Sequence, residues 1–379
     1  MTTVPNQGDD LRWPDHLVDA SDVRAWISSV LPEHPDVDGP TRVLHVKTRG
    51  VIARFALRMP YAHPVASSLP NTSLVPTPPP ERGTDVVFKA SYISLYAHTP
   101  FVYELLGRCC PGNVPHLLAW DAGPGRMWTL FRPFEGVRVR EVNRLEPLLE
   151  VARTLARIQV AVAAAPAAAK RRIARLPVSR IPVLFDEILQ DIRATHLRVW
   201  NADDGALAHK LNFPADPLGR LMSFRRHVAA WAAELEGGAW PDSIDHTDLH
   251  TGNACLQADG RVLIYDWAEA TIGSPFFSLE QLLDNARALD TEGAPAQAQC
   301  VDHLGERSST MAVRDAYLDA LPWKTYSQRE RALELAGYLW PIKDASICKS
   351  DMLALGQERR FSELTAVDMA RALQRWESR

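Results

Sequence analysis

Asp245-His246-Thr247-Asp248-Leu249-His250-Thr251-Gly252-Asn253, followed by Ile264-Tyr265-Asp266-Trp267, decides how this chain is read. The segment sets a carboxylate (Asp248), an amide (Asn253) and a second carboxylate (Asp266) at steps of five and then thirteen residues. Phosphoryl transfer from a nucleotide needs those three groups. One carboxylate orients the attacking hydroxyl and accepts its proton, while an amide oxygen and a second carboxylate hold Mg²⁺ against the triphosphate. Asp248 and Asn253 lie in a His- and Gly-containing loop too irregular for one helix face. Val262-Leu263-Ile264-Tyr265 is a β-prone apolar run, and Ala258-Asp259-Gly260 before it reads as a hairpin turn. Asp266 is therefore expected at the end of a strand that returns beside the loop.

The same residues admit a second reading. Asp245, His246, Asp248 and His250 form a D-H-x-D-x-H cluster, and His and carboxylate ligands suit the zinc or paired metals of a hydrolase, with His246, Asp248 and His250 at its centre. That reading leaves Asn253 and Asp266 without a task.

The layout is similar to the protein-kinase pattern H-R-D-x-x-x-x-N followed by D-F-G. With His246-Thr-Asp-Leu-His250-Thr-Gly-Asn253 and the later Asp266-Trp267 pair, it resembles the aminoglycoside phosphotransferase and choline kinase family. The match departs at Thr247, where that family usually carries Gly. The resemblance implies a protein-kinase-like α+β fold in two lobes, a small antiparallel β-sheet lobe and a larger, mostly helical one. It also implies ATP or GTP as phosphoryl donor, Mg²⁺ and a small-molecule acceptor. Asp248 and His250 would be the catalytic residues, and Asn253 and Asp266 the metal ligands.

Working toward the N-terminus, Asp19 to Leu31 reads as a helix capped by Ser21, with Val23, Trp26, Ile27 and Val30 on one face. Arg42–Val46 and Val51–Leu57 read as strands joined by a tight turn at Lys47-Thr48-Arg49-Gly50. The Pro-rich stretch 60–80 cannot join a sheet ladder and is read as an inserted loop. A third strand follows at Asp85–Lys89. Lys89 on this strand, with Glu104 on the helical run Phe101–Leu106, is how a kinase presents an ammonium to the α/β-phosphates. The alternative is an exposed strand-end lysine and a solvated glutamate. Thr48 is either a phosphate-touching hydroxyl or a plain turn residue, since no Gly-rich loop accompanies it. Two further strands, His116–Trp120 and Met127–Phe131, precede Arg132-Pro133-Phe134-Glu135-Gly136. In a kinase-like fold this segment would be the hinge, with Arg132 and Phe134 beside the nucleotide; the alternative is an ordinary inter-lobe linker. The expected lobes are 1–134, binding nucleotide, and 135–379, carrying the catalytic loop and the acceptor site.

The remainder reads as helices over Leu145–Ala164, Ile181–Leu197, Leu221–Leu235, Ser278–Leu289, Met311–Leu321, Gln328–Lys343 and Glu363–Trp376. Phe224, Val228 and Trp231 form a stripe read as core. Between Glu280 and Asp319 there are eight acids against three arginines, a field that would favour a cationic acceptor such as an aminoglycoside, an amino sugar or a choline-like alcohol, or else a solvated acidic face. Trp267, Trp323 and Trp340 either line that pocket or fill the core.

Composition bounds the rest. A chain of 379 residues, 46% hydrophobic with a net charge of −4, has ample core and no basic footprint, so nucleic acid is not an expected partner. Cys109, Cys110, Cys255, Cys300 and Cys348 have no metal or disulfide spacing, which suits free thiols in the cytoplasm. No apolar run reaches eighteen residues, so no membrane span is expected. Beside the active phosphotransferase stands one alternative of another kind, a catalytically silent nucleotide-binding module of the same fold.

Overall fold

The computed structural model describes residues 13–14, 18–33, 36–47, 50–58, 85–123, 126–193, 216–292, 308–354 and 358–377. Thr48, the Pro-rich stretch 60–80, Cys300 and part of the acidic segment lie outside them. The chain divides into two compact units. One comprises Met1–Gly107 and Pro115–Glu135, the other Arg108–Val114 and Gly136–Arg379.

The first unit is built on a five-stranded antiparallel sheet of β1 (Asp36–Lys47), β2 (Gly50–Arg58), β3 (Asp85–Ser91), β4 (Leu117–Gly123) and β5 (Arg126–Phe131), in the order β1-β2-β3-β5-β4. One face carries Phe55, Phe88, Ala90, Trp128 and Leu130. It packs against Val23, Ile27 and Trp26 of helix α1 (Ala20–Val30) through edge-on ring contacts such as Trp26–Trp128 at 5.6 Å. The cap of α1 is Asp19 rather than the expected Ser21. Its carboxylate accepts both the Ser21 N–H and the Ser21 hydroxyl at 2.6 Å, and a full negative charge suits the positive end of the helix dipole better than a hydroxyl does. Alternation along β3 turns Lys89 to the other face, away from Phe88 and Ala90. There Lys89 stands opposite Thr129 and Val87 opposite Phe131. Phe131 packs on Tyr103 of α2 (Thr99–Cys109) at 4.7 Å, so Lys89 shares the sheet face that α2 covers.

The second unit is mostly helical. Its short strands form two ladders, β10 (Val262–Ile264)-β9 (Ala254–Leu256)-β6 (Val137–Arg138) and β7 (Arg175–Leu176)-β11 (Thr271–Gly273)-β8 (Ser243–Asp245). The helices are α3 (Val139–Val142), α4 (Leu145–Ala164), α5 (Ala167–Lys170), α6 (Ile181–Asp191), α7 (Pro217–Ser223), α8 (Arg225–Gly237), α9 (Glu280–Glu292), α10 (Ser309–Ala320), α11 (Tyr326–Ala354) and α12 (Glu358–Glu377). The single helix expected over Leu221–Leu235 is two, broken at Phe224, whose ring packs on Trp376 at 5.0 Å. Helix α11 runs through Pro341. Proline has no N–H to give to the carbonyl four residues back, and Arg375 Nη1 supplies the missing donor to Gly337 O at 2.6 Å. A small antiparallel sheet unit and a larger helical unit make the expected α+β class.

Candidate active site

The hairpin of β9 and β10 builds the site. Gly260, at φ +82°, closes its turn. The register pairs Ile264 with Ala254, and Tyr265 N donates to Asn253 O at 2.9 Å. Asn253 and Asp266 thus come to the same end of the hairpin. Asn253 Nδ2 donates to Asp248 Oδ2 at 3.1 Å and to Asp248 O at 2.8 Å, which commits the amide nitrogen and leaves Oδ1 as the atom available to a cation. Asp266 adopts a left-handed conformation (φ +63°, ψ 53°) where the strand ends, half-buried. Two hard oxygen donors on adjacent backbone segments fit Mg²⁺.

Asp248 keeps 39% of its side chain accessible, enough for a small molecule to reach it. His250 Nδ1 accepts the Gly252 N–H at 2.9 Å, so the ring proton belongs on Nε2, which lies 3.8 Å from Asp248 Oδ2. His246 is fully buried, and that burial pushes its pKa down. The ring is then neutral. Because Nε2 faces the Tyr265 carbonyl at 3.0 Å, the proton sits there, leaving Nδ1 without a hydrogen bond. Its ring lies 4.4 Å from that of Trp267.

Beneath the loop is a buried polar network that sequence reasoning missed. Asp245 and Lys343, each 1% exposed, form an ion pair at 2.5 Å. Asp245 Oδ1 accepts the Thr247 N–H at 3.0 Å and the Ser278 hydroxyl at 2.8 Å. Ser278 in turn accepts the His246 N–H at 2.9 Å, and Gln159 Nε2 ties in Ile244 O and Pro275 O. Asn285 of α9 accepts the Thr251 N–H at 2.8 Å. Members of the network other than Ile244, Asp245, His246, Thr247 and Thr251 lie far from the loop in sequence, so little local marks them. The sole hint was Lys343 on an otherwise apolar helix face.

In the sheet unit, Lys89 is half-buried and Thr129 Oγ1 donates to its carbonyl at 3.2 Å. Glu104 Oε1 accepts Trp120 Nε1–H at 2.9 Å, and this bond ties Glu104 to β4. Trp120 opposes Thr129, so Lys89, Thr129 and Trp120 share one face across three strands. Arg132 N donates to His116 O at 2.9 Å. Burial and the Arg132 charge both hold the His116 imidazole below its ordinary pKa. Phe134 is half-buried.

At three places the sequence leaves alternatives between which the geometry discriminates. The ligand atoms of His246, Asp248 and His250 do not gather as a metal site. Among the described residues only Asp344, Cys348 and Asp368 bring three such atoms within 4.8 Å of one another. His246 Nε2 and Asp245 are already committed to Tyr265 and Lys343, which removes the basis of the hydrolase reading. Several of the described acids after Asp266 are also engaged within the protein. Glu280 is buried against Arg375 at 2.8 Å, Asp284 pairs with Arg287, Asp290 accepts the Ser309 and Thr310 N–H groups, and Asp315 pairs with Arg314. Finally, Trp267 and Trp340 are core residues, 0% and 4% exposed.

Among solved structures the chain is similar to choline kinase from Cryptosporidium parvum (9% identity, 95% of this chain and 96% of that one, TM-score 0.54). It is also similar to the macrolide 2′-phosphotransferase MphH from Brachybacterium faecium (14% identity, 94% and 98%, TM-score 0.52). A third likeness is to the aminoglycoside phosphotransferase APH(4)-Ia in a ternary complex with ADP and hygromycin B (13% identity, 93% and 98%, TM-score 0.50). These likenesses show a protein-kinase-like fold. Sequence comparison with curated proteins gave no match. No described helix is long and apolar enough to cross a membrane. Residues 93–317 match the phosphotransferase enzyme family, more than half of the chain, and the chain belongs to that family.

Proposed function

We propose that this protein transfers the γ-phosphoryl group of a nucleoside triphosphate, ATP or GTP, to a hydroxyl of a small molecule. The observation that carries the reading is the joint placement of three groups. Asn253 is bonded through its amide to the accessible Asp248 carboxylate and through its backbone to the residue before Asp266. A silent nucleotide-binding module has no need of that arrangement.

In this reading Asp248 Oδ accepts the proton of the acceptor hydroxyl as its oxygen bonds to the γ-phosphorus and the bond to the diphosphate leaving group breaks. Asn253 Nδ2 fixes the rotamer of Asp248 for that task. His250, whose Nδ1 accepts the Gly252 N–H, presents Nε2 toward the carboxylate. Asn253 Oδ1 and the Asp266 carboxylate are the residues that would hold Mg²⁺, which when bound neutralises triphosphate charge. Lys89, with Glu104 on the same sheet face, is the proposed phosphate contact. Arg132 and Phe134 are proposed for the nucleotide base, and Thr48, outside the described residues, for a phosphate. The nucleotide donor is consistent with the ADP complex of the similar APH(4)-Ia structure.

Of the acids after Asp266, Glu280, Asp284 and Asp315 each pair with an arginine, which weakens the case for a cationic acceptor. Macrolides and choline, which name two proteins of the same fold, belong with aminoglycosides and amino sugars in the panel to be tried. The reading is tested by Asp266→Ala. Nucleotide affinity in Mg²⁺ should collapse toward its Mg²⁺-free value, and unchanged affinity would reject the ligand assignment.

A further inference from the structure

Thr247 precedes Asp248 and sits at φ +73°. For a β-branched residue this left-handed conformation is strained, because Cβ crowds the backbone, and it persists only when its surroundings over-determine it. The surroundings here are specific. Asp245 Oδ1 takes the Thr247 N–H at 3.0 Å, and Lys343 Nζ donates to Thr247 Oγ1 at 3.2 Å while pairing with Asp245 Oδ2 at 2.5 Å. Backbone and side chain of the strained residue are thus gripped by the two members of one ion pair. Asp245 is anchored again by Ser278, and Lys343 lies over the Phe277 ring at 5.6 Å, so neither can drift. An ion pair this buried returns little net stability, since desolvating both charges offsets their attraction. What it delivers is geometry.

We infer that Lys343 and Asp245 are positioning residues for the proposed reaction: their ion pair clamps Thr247 in the left-handed turn and so aims Asp248, without touching substrate. Were Thr247 a glycine, the turn would hold without a clamp, because glycine adopts positive φ at no steric cost. The clamp and the side chain at 247 are therefore predicted to be energetically coupled.

The test is a double-mutant cycle. The pair is neutralised by Asp245→Asn with Lys343→Met, which leaves no lone buried charge, in the natural chain and in a Thr247→Gly background. Two quantities are read: amide hydrogen exchange across 245–253, and turnover of ATP with Mg²⁺ and the best acceptor of the panel. In the natural background, exchange across 245–253 should rise roughly ten- to a hundredfold, the population ratio that strain of this kind corresponds to, while exchange in α4 stays as it was. The kcat should fall by a similar factor with the KM for ATP unchanged. In the Thr247→Gly background the same neutralisation should cost only a few-fold in either quantity. A neutral pair that folds only with Thr247→Gly supports the clamp as well.

Equal losses in both backgrounds would overturn it, and so would a chain that folds in neither, since the pair would then serve the fold irrespective of the turn. The turnover arm rests on the proposed function, whereas the exchange arm does not. Coupled exchange without any nucleotide turnover would count against the functional reading alone, and uncoupled exchange against the clamp alone.

Discussion

Replacing Arg375 by methionine separates two accounts of the acidic segment after Asp266. In the structure, Arg375 Nη1 reaches Glu280 Oε2 at 2.8 Å and the carbonyl of Gly337 at 2.6 Å. That carbonyl has lost its helical donor to Pro341. The Glu280 side chain is 3% exposed and that of Arg375 31%. Removing one partner of a buried pair costs about 3–5 kcal/mol, because the other charge is left unsolvated. Water at the partly open Arg375 side lowers that to roughly 2–4 kcal/mol, and the orphaned Gly337 carbonyl adds about 1 kcal/mol. Arg375→Met should therefore destabilise the helical unit by roughly 3–5 kcal/mol, a fall in Tm on the order of 6–20 °C. Glu280→Leu combined with Arg375→Met removes both charges and should recover all but about 1–2 kcal/mol, the part owed to the carbonyl. Urea unfolding followed by tryptophan fluorescence measures each value. Arg375→Met within 1 kcal/mol of the natural chain would refute the reasoning. A Glu280→Gln variant of unchanged stability but raised acceptor KM would restore Glu280 to the acceptor site.

Other expectations follow from the same geometry. A Cβ at Gly252 would lie 2.5 Å from His250 Cε1 and 2.8 Å from Nδ1. Gly252→Ala should thus swing the accessible imidazole away and break its bond to residue 252, at a stability cost of about 1 kcal/mol. Turnover should fall at least as far as in His250→Ala; a fully active Gly252→Ala would show that the imidazole pose is irrelevant. Burial pushes the thiols of Cys110 and Cys255 up to about 11. Thiolate forms only as pH rises toward that value, so at pH 8 each should carry roughly a hundredfold less thiolate than a thiol at the ordinary 9.0. Iodoacetamide labelling read by peptide mass should be slow at pH 8 and accelerate tenfold per pH unit up to about pH 10, whereas fast labelling at pH 8 would contradict their burial.

What the sequence made legible was whatever is local. The Asp248–Asn253 step, the turn at Gly260 and the strand leading to Asp266 are written within about twenty residues, and hairpin physics carries them to their observed places. Strand alternation around Lys89 is equally local. Asp19 and Ser21 are both good caps two positions apart, and only the backbone shows which one begins the helix. The break at Phe224 was hidden because an apolar stripe continues across it. Long-range pairings were invisible in principle. Nothing near Glu280 announces its arginine, 95 residues on, and little near Lys343 announces its aspartate, 98 residues back. The left-handed backbone at Thr247 is a tertiary effect that its side chain argues against.

The proposed phosphoryl transfer to a small-molecule hydroxyl rests on Asp248. The most direct measurement incubates the purified protein with Mg²⁺, ATP or GTP, and aminoglycosides, amino sugars, macrolides or choline. Acceptor phosphorylation is followed by ³¹P NMR for the natural chain and for Asp248→Asn. The account predicts a phosphate monoester of one acceptor and release of nucleoside diphosphate. Asp248→Asn should lower kcat by roughly 10²–10⁴-fold while nucleotide affinity in Mg²⁺ is retained. An Asp248→Asn protein that phosphorylates the same acceptor within a few-fold of the natural rate would contradict it.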